Sequence, residues 1–210
     1  MFIYIFIAIA AYLIGSVNFS VIISKKMAGF DVRTKGSGNA GTTNVLRTVG
    51  KKAAAITLLA DILKGVVSII IAVVLGKMAA NADKALLVQI AGIAVILGHT
   101  FPIFFGFKGG KGVATSLGIL LVTNWQIGLI CLVFAIVLMV ITKMVSVGSI
   151  GAAILFPVLT LFIGENYIVT EGSGYFAYSV IIALIVAFNH RSNIKRLIEG
   201  KENKISFSKK

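Results

Sequence analysis

From Gly112 to Thr142 the chain runs for 31 residues without a charged side chain. A helix crossing about 30 Å of hydrocarbon needs roughly 20 predominantly apolar residues. The run is long for one crossing and short for two, and Thr123-Asn124-Trp125 near its middle has the polar and aromatic character of an interfacial turn. Comparable apolar segments recur along the whole chain. With 58% hydrophobic residues, 13% charged residues and a mean hydropathy of +1.02, the composition lies far from that of soluble domains, in which about 25% of residues are charged. The expected fold is an all-α integral membrane protein. The N-terminal MFIYIFIAIAAYLIG has no basic leader and no small-residue cleavage site, so it is expected to be a retained span and not a signal peptide.

Charge placement decides the number of spans. Reading two short helices in the long run gives seven: about 1–23, 53–75, 85–98, 113–123, 125–142, 144–164 and 172–189, in one membrane-embedded domain of residues 1–210. Seventeen lysines and arginines then fall in loops and tail on one side, and only Lys77 and Lys84 on the other. Six spans divide them nine against ten. The positive-inside rule selects seven, with the N-terminus outside and the C-terminus cytoplasmic. Every glycine-rich or polar motif then shares the cytoplasmic face, with both histidines, His99 and His190. The short outer segments GKMAANADK and GENYIVTEGSG carry nothing comparable.

GSGNAG at 36–41 matches the dinucleotide pattern G-x-G-x-x-G, but no β-strand leads into it, and the pattern has meaning only between a strand and a helix. The components of an anion loop remain. Gly36 and Gly38 let backbone approach a ligand; Ser37, Asn39 and Asn44 add polar groups, and Arg47 can hold a phosphate in a bidentate fork. FKGGKG at 107–112 fails as a nucleotide P-loop, because Phe105 stands where its first glycine belongs and Gly112 follows Lys111. It still presents Gly109, Gly110 and Gly112 with Lys108 and Lys111 before a helix N-terminus, the ingredients of a phosphate cradle. For both loops the plainer alternative is a basic turn or helix cap facing lipid headgroups.

Asp61 and Lys64 lie three apart inside the second span, on one helix face. Charges at that depth are expected to pair and to face the bundle interior. In NHRSNIKRLIEGKE, His190 and Asn193 share a face of an amphipathic helix, with Glu199 further along. No third ligand accompanies the histidines, so no metal is expected, and the single Cys131 makes no disulfide framework.

Taken together, GSGNAGTTNVLR, GHTFPIFFGFKGGKGVAT, HRSNIKRLIEGKE and the intramembrane DILKG resemble the bacterial acyl-phosphate:glycerol-3-phosphate acyltransferases of the PlsY type over essentially the full chain. There is no departure at Ser37, Arg47, His99, Lys111, His190, Asn193 or Glu199. The resemblance implies transfer of a fatty acyl group from acyl phosphate to the sn-1 hydroxyl of glycerol 3-phosphate at the bacterial plasma membrane. Ser37, Arg47, His190 and Asn193 are the expected catalytic residues. Gly36, Ser37, Gly38, Asn39, Asn44, Arg47, His99, Lys108, Gly109, Gly110, Lys111 and Gly112 are expected to bind substrate phosphate, with Asp61, Lys64 and Glu199 in support. It implies no cofactor and no nucleic-acid partner; the expected partners are the two substrates, membrane lipids and an enzyme that supplies acyl phosphate. The competing class is a small transporter for a phosphorylated solute, which would favour inverted repeats and a midplane site. Acyl-carrier-dependent chemistry with an H-x-x-x-x-D signature is excluded, because Phe104 and Lys195 occupy the required positions.

Overall fold

The computed structural model describes residues 1–79, 81–163 and 174–205, and all regular elements among them are helical. Ten α-helices follow in order: α1 Phe2–Ser16, α2 Phe19–Ala28, α3 Thr42–Thr48, α4 Lys51–Met78, α5 Lys84–Thr100, α6 Val113–Thr123, α7 Trp125–Thr142, α8 Val145–Phe162, α9 Tyr175–Asn189 and α10 Arg191–Ile198. Short 3-10 turns at Val32–Thr34 and Ile103–Phe105 sit in the loops after α2 and α5. Among the described residues, five helical stretches are long and apolar enough to cross a membrane: Phe2–Ala28, Lys51–Met78, Lys84–Phe105, Trp125–Thr142 and Val145–Phe162. The apolar helices α6 and α9 are shorter, at 11 and 15 residues. The segment 164–173, expected on the outer side, lies outside the described residues.

These helices turn apolar side chains outward as well as inward. On α4, Leu59, Leu63, Ile70 and Val74 form an exposed stripe, where a soluble helix would present charge. The backbone polar groups of a helix are satisfied within the helix, so such a surface is stable against lipid. Inside, small residues govern the packing. A Cβ at Gly15 would overlap the Val95 carbonyl and one at Gly98 the Tyr12 carbonyl, so α1 and α5 cross backbone to backbone. Gly65 and Gly118 bring α4 and α6 together in the same way. α7 packs on α6 and α8, α8 on α9, and α9 returns to α5.

Two junctions have clear causes. Asn124 caps α7 by accepting from the Ile127 N–H at 3.1 Å, one residue after α6 ends. The N-terminal apolar segment, in contrast, is not one continuous helix: it breaks at Val17-Asn18 and resumes as α2, which runs on to Ala28. The Asn18 side chain accepts from the Val21 N–H at 3.2 Å. The carbonyls released at the end of α1 are met by Lys64, whose Nζ donates to Gly15 and Val17, each at 3.1 Å. A buried lysine from α4 thus stabilises a break that apolar composition alone does not reveal.

Candidate functional site

Three loop regions gather at one end of the bundle. The first runs from Asp31 to α3 and is organised by Asn44. That side chain is buried, and its Nδ2 donates towards the carbonyls of Val32, Lys35 and Asn39 at 2.9, 3.0 and 3.0 Å. Its Oδ1 accepts from the Ser37 N–H at 2.9 Å. Gly36 lies against it in a left-handed conformation, where a Cβ would overlap Oδ1. Asn44 therefore shapes the loop from behind, with its hydrogen-bonding capacity used on backbone, and Ser37 is left exposed. Asn39 is partly buried and gives its carbonyl to Asn44. Arg47 is exposed on α3, and its guanidinium has no hydrogen-bond or carboxylate partner among the described residues.

The second region follows α5. Gly109 and Gly110 donate their N–H groups to the carbonyls of Thr100 and His99, both at 3.0 Å. Those two N–H groups are spent within the protein, which leaves the cradle expected from FKGGKG to the donors further along the segment. The donors without an acceptor among the described residues include the N–H groups of Lys111 and Gly112 as well as those of the first turn of α6, which the left-handed Gly112 precedes. Thr115 and Ser116, in that turn, hold buried hydroxyls without a hydrogen-bond partner among the described residues. Gly110 is wedged between the His99 ring and the Ala40 carbonyl, so the first and second loops touch there and no side chain fits. His99 stands behind the loop: its Nδ1 is 3.5 Å from Asp61 Oδ1, which is itself 2.9 Å from Lys64 Nζ. The pair expected at Asp61 and Lys64 is thus a buried cluster joining α1, α4 and α5. Lys108 is exposed and lines a cavity of about 440 Å³ with Asp31, Arg33, Thr34, Gly38, Phe105 and Gly106.

The third region spans the end of α9, α10 and the residues after it. Lys111 Nζ donates to Asn193 Oδ1, and Asn193 Nδ2 donates to Glu202 at 2.7 Å. Glu202 also accepts from Ser146 Oγ at 3.0 Å and Arg196 Nε at 2.9 Å. Asn189 Nδ2 donates to Thr100 Oγ1 at 3.1 Å and to the Lys111 carbonyl at 3.4 Å. Lys111 is therefore oriented through Asn193 by a carboxylate, and that carboxylate is Glu202. Glu199, expected in support, instead faces Lys195 and Lys201 at 4.0 and 3.8 Å on the surface. Glu202, Asn189 and Asp31 with Arg33 lie in or beside the polar segments, but nothing local distinguishes them from solvated residues.

The electrostatics centre on Lys111. Burial pushes its pKa down to about 8; Glu202 opposes the shift, and the nearby charges of Arg196 and Arg47 add to it. His190 is 2% exposed, and its Nδ1–H donates to the Val186 carbonyl at 2.8 Å, which leaves Nε2 as an acceptor. Burial, and then the Lys111 charge, lower its pKa to about 4, so the ring is neutral at physiological pH. Burial disfavours ionisation of Glu202, but hydrogen bonds from Asn193, Arg196 and Ser146 outweigh it and hold the carboxyl below its usual range. Stability gained from Glu202 is present above the ordinary carboxylate pKa and is lost as pH falls through the depressed one. Glu202→Gln is accordingly expected to lower the melting temperature at pH 7 more than at pH 4, in scans of detergent-solubilised protein. An equal loss at both pH values would count against the ionised role.

The fold and the site together define a helical integral membrane protein that gathers cations and a glycine-walled helix N-terminus at one end of its bundle. The family model for glycerol-3-phosphate acyltransferase matches residues 5–200. The chain belongs to that family, and is an acyltransferase enzyme. It is 43% identical to the glycerol-3-phosphate acyltransferase of Clostridioides difficile (strain 630) over 209 residues, covering 100% of this chain and 98% of the relative. It is 46% identical to that of Thermoanaerobacter sp. (strain X514), over 94% of this chain and 93% of the relative. Its fold is similar to crystal structures of PlsY (YgiH), an integral membrane glycerol 3-phosphate acyltransferase. Against the glycerol 3-phosphate form the TM-score is 0.85 at 35% identity, with 97% of this chain and 96% of that chain covered. Against the lysophosphatidic acid form it is 0.82 at 34% identity, covering 97% and 95%.

Proposed function

We propose that this enzyme transfers a fatty acyl group from acyl phosphate to the sn-1 hydroxyl of glycerol 3-phosphate, releasing 1-acylglycerol 3-phosphate and inorganic phosphate. The hydroxyl oxygen attacks the acyl carbonyl carbon, the bond from that carbon to the phosphate oxygen breaks, and the hydroxyl proton ends on phosphate. Both substrates are phosphate anions. The observation that carries the reading is the convergence of three chain-distant segments on Lys111: Asn193 contacts it, His190 and Arg47 lie within its electrostatic reach, and α6 starts beside it. In this reading Arg47, Lys111 and the first turn of α6 hold phosphate, with Ser37 on the rim. His190 and Asn193 orient the hydroxyl.

The same reading has seven crossings, with α6 and α9 as the short ones, N-terminus outside and the site on the cytoplasmic face of the bacterial plasma membrane. It is supported by the seventeen-to-two distribution of cations. Cys131 is buried, so single cysteines introduced at Lys35, Ser192 or Asn81, all exposed, report on sidedness. Maleimide is expected to label the first two only after the membrane is opened from the cytoplasmic side, and Asn81→Cys from outside in intact cells. Labelling of 35 and 192 from opposite faces would rule out seven crossings.

The experiment that tests the activity follows phosphate release by purified protein given palmitoyl phosphate and glycerol 3-phosphate. Acyl-CoA and acyl-carrier donors serve as controls. Release with acyl phosphate alone among the donors is expected; a chain that uses only the carrier-bound donors would overturn the assignment of the donor.

A further inference from the structure

Arg33 lies outside the polar motifs, yet no other side chain forms hydrogen bonds between the first and second loops among the described residues. It lies in the 3-10 turn Val32–Thr34, just before GSGNAG. Its Nε and Nη2 donate to the two carboxylate oxygens of Asp31 at 3.0 and 2.8 Å. Its Nη1 donates to the carbonyls of Phe105 at 2.6 Å and Lys108 at 3.2 Å, more than seventy residues away. Asp31 also accepts from the Arg33 N–H at 3.0 Å, so the acid and the guanidinium are held edge to edge. That side-chain hydrogen bond is the largest influence on Asp31 and keeps its carboxyl ionised below the usual range.

The two carbonyls flank a turn that the chain has reason to leave. Gly106 and Phe107 are both left-handed, with φ of 65° and 59°. Phe107 lacks the freedom of glycine, and the residue is 56% exposed, so packing does little to hold it there. Two residues later begins Gly109-Gly110-Lys111. On its other side the Arg33 turn is anchored twice. The Val32 N–H donates to Ser24 Oγ of α2 at 3.1 Å, and the Val32 carbonyl accepts from Asn44, the organiser of the first loop.

We infer that Arg33, oriented by Asp31, is a positioning residue that sets the second loop against the first, and so the spacing of the two phosphate-binding segments, without touching either substrate. Each nitrogen of its fork is already engaged, which distinguishes it from Arg47. Lysine cannot replace it, because one ammonium cannot meet a carboxylate edge-on and two carbonyls at once. The inference rests on the proposed function, since it takes the two loops as the phosphate site.

The test is steady-state kinetics of the full chain with both substrates varied, for wild type, Arg33→Lys, Arg33→Gln, Arg33→Ala and Asp31→Asn, beside melting temperatures. Misplacement of a binding loop by about an ångström costs up to about a hundredfold. Arg33→Gln is therefore expected to raise KM for at least one phosphate substrate about tenfold, with kcat changed less and the melting temperature within a few degrees of wild type. Arg33→Lys should recover little of that loss, and Asp31→Asn should show a smaller loss in the same KM. Added methylguanidinium, but not ethylammonium, should restore Arg33→Ala. Values of kcat/KM within twofold of wild type in both Arg33→Lys and Arg33→Gln would overturn the inference, as would a loss confined to kcat or one that tracks thermal instability across the variants. A wild-type chain that releases no phosphate from any combination of the two substrates would overturn the functional reading, and this inference with it.

Discussion

Arg47→Ala and Lys111→Ala are each expected to lower kcat/KM by about 10²–10³-fold, the size seen when one preorganised charge-stabilising donor is removed from a site, while the protein still folds and inserts. Two phosphate groups must approach one another for the acyl transfer, and their repulsion has to be cancelled by fixed cations. Arg47 is suited to this because its guanidinium has no protein partner among the described residues, so its loss leaves no buried group orphaned. Lys111 carries a further signature. With its pKa lowered to about 8 by burial and neighbouring cations, it is charged below that pH and neutral above it. The kcat/KM profile, which reports the free enzyme, should therefore fall as pH rises through about 8. Bound phosphate favours the ammonium form, so the matching limb in kcat should lie at higher pH. Lys111→Arg, which keeps a cation that does not titrate there, should remove the limb even where it lowers the rate. Near-normal turnover in either alanine variant, or a limb unchanged in Lys111→Arg, would argue against these roles.

His190→Ala should cost about 10²-fold, the size of a lost alignment, whereas His190→Gln should retain clearly more activity. The neutral ring, with Nδ1–H committed to the Val186 carbonyl, leaves Nε2 as the acceptor that the proposed function aims at the substrate hydroxyl. A group with a pKa of about 4 is too weak a base to keep the proton. A phosphate monoester, whose second ionisation is near 6, or the departing inorganic phosphate is the better final acceptor. On the proposed function His190 and Asn193 act by alignment, a contribution that can reach about 7–11 kcal/mol, and glutamine is expected to imitate part of it. An acyl phosphate is already an activated anhydride, so no nucleophilic side chain is required. Cys131 is enclosed in the bundle. Incubation with radiolabelled acyl phosphate alone should leave no covalent acyl group on the protein. A trapped acyl-enzyme, or equal loss in both variants with a rate pKa near 6.5 that vanishes with the histidine, would replace this account by covalent or histidine-base catalysis.

Much of the architecture was legible because burial in a membrane is an additive, residue-by-residue preference. A lysine or aspartate in hydrocarbon is costly wherever it stands, and 20 apolar residues span the same thickness in any protein. The helical class and the junction at Asn124 followed from such local terms. The break at Val17-Asn18 did not, because it depends on Lys64, a residue almost fifty positions away. The candidate site divides in the same way. Glycine, arginine and histidine advertised an anion site by residue type, but residue type does not say which donors are already spent. Asn44 resembles a ligand group in sequence and is committed to three backbone carbonyls in the fold. Gly109 and Gly110 look like a cradle, yet their N–H groups close the end of α5.

By itself the sequence determined that the chain is helical, lives in a membrane and carries its polar motifs in three short segments, since each of these depends on local hydropathy, charge and glycine content. Only the tertiary structure decided that Glu202 and not Glu199 orients Asn193, that Lys111 is buried enough to titrate near 8, and that Arg33 joins two loops. Hydrogen bonds and buried charges act over about 3 Å, and only the packing of the helices determines which groups, tens of residues apart, come within that distance.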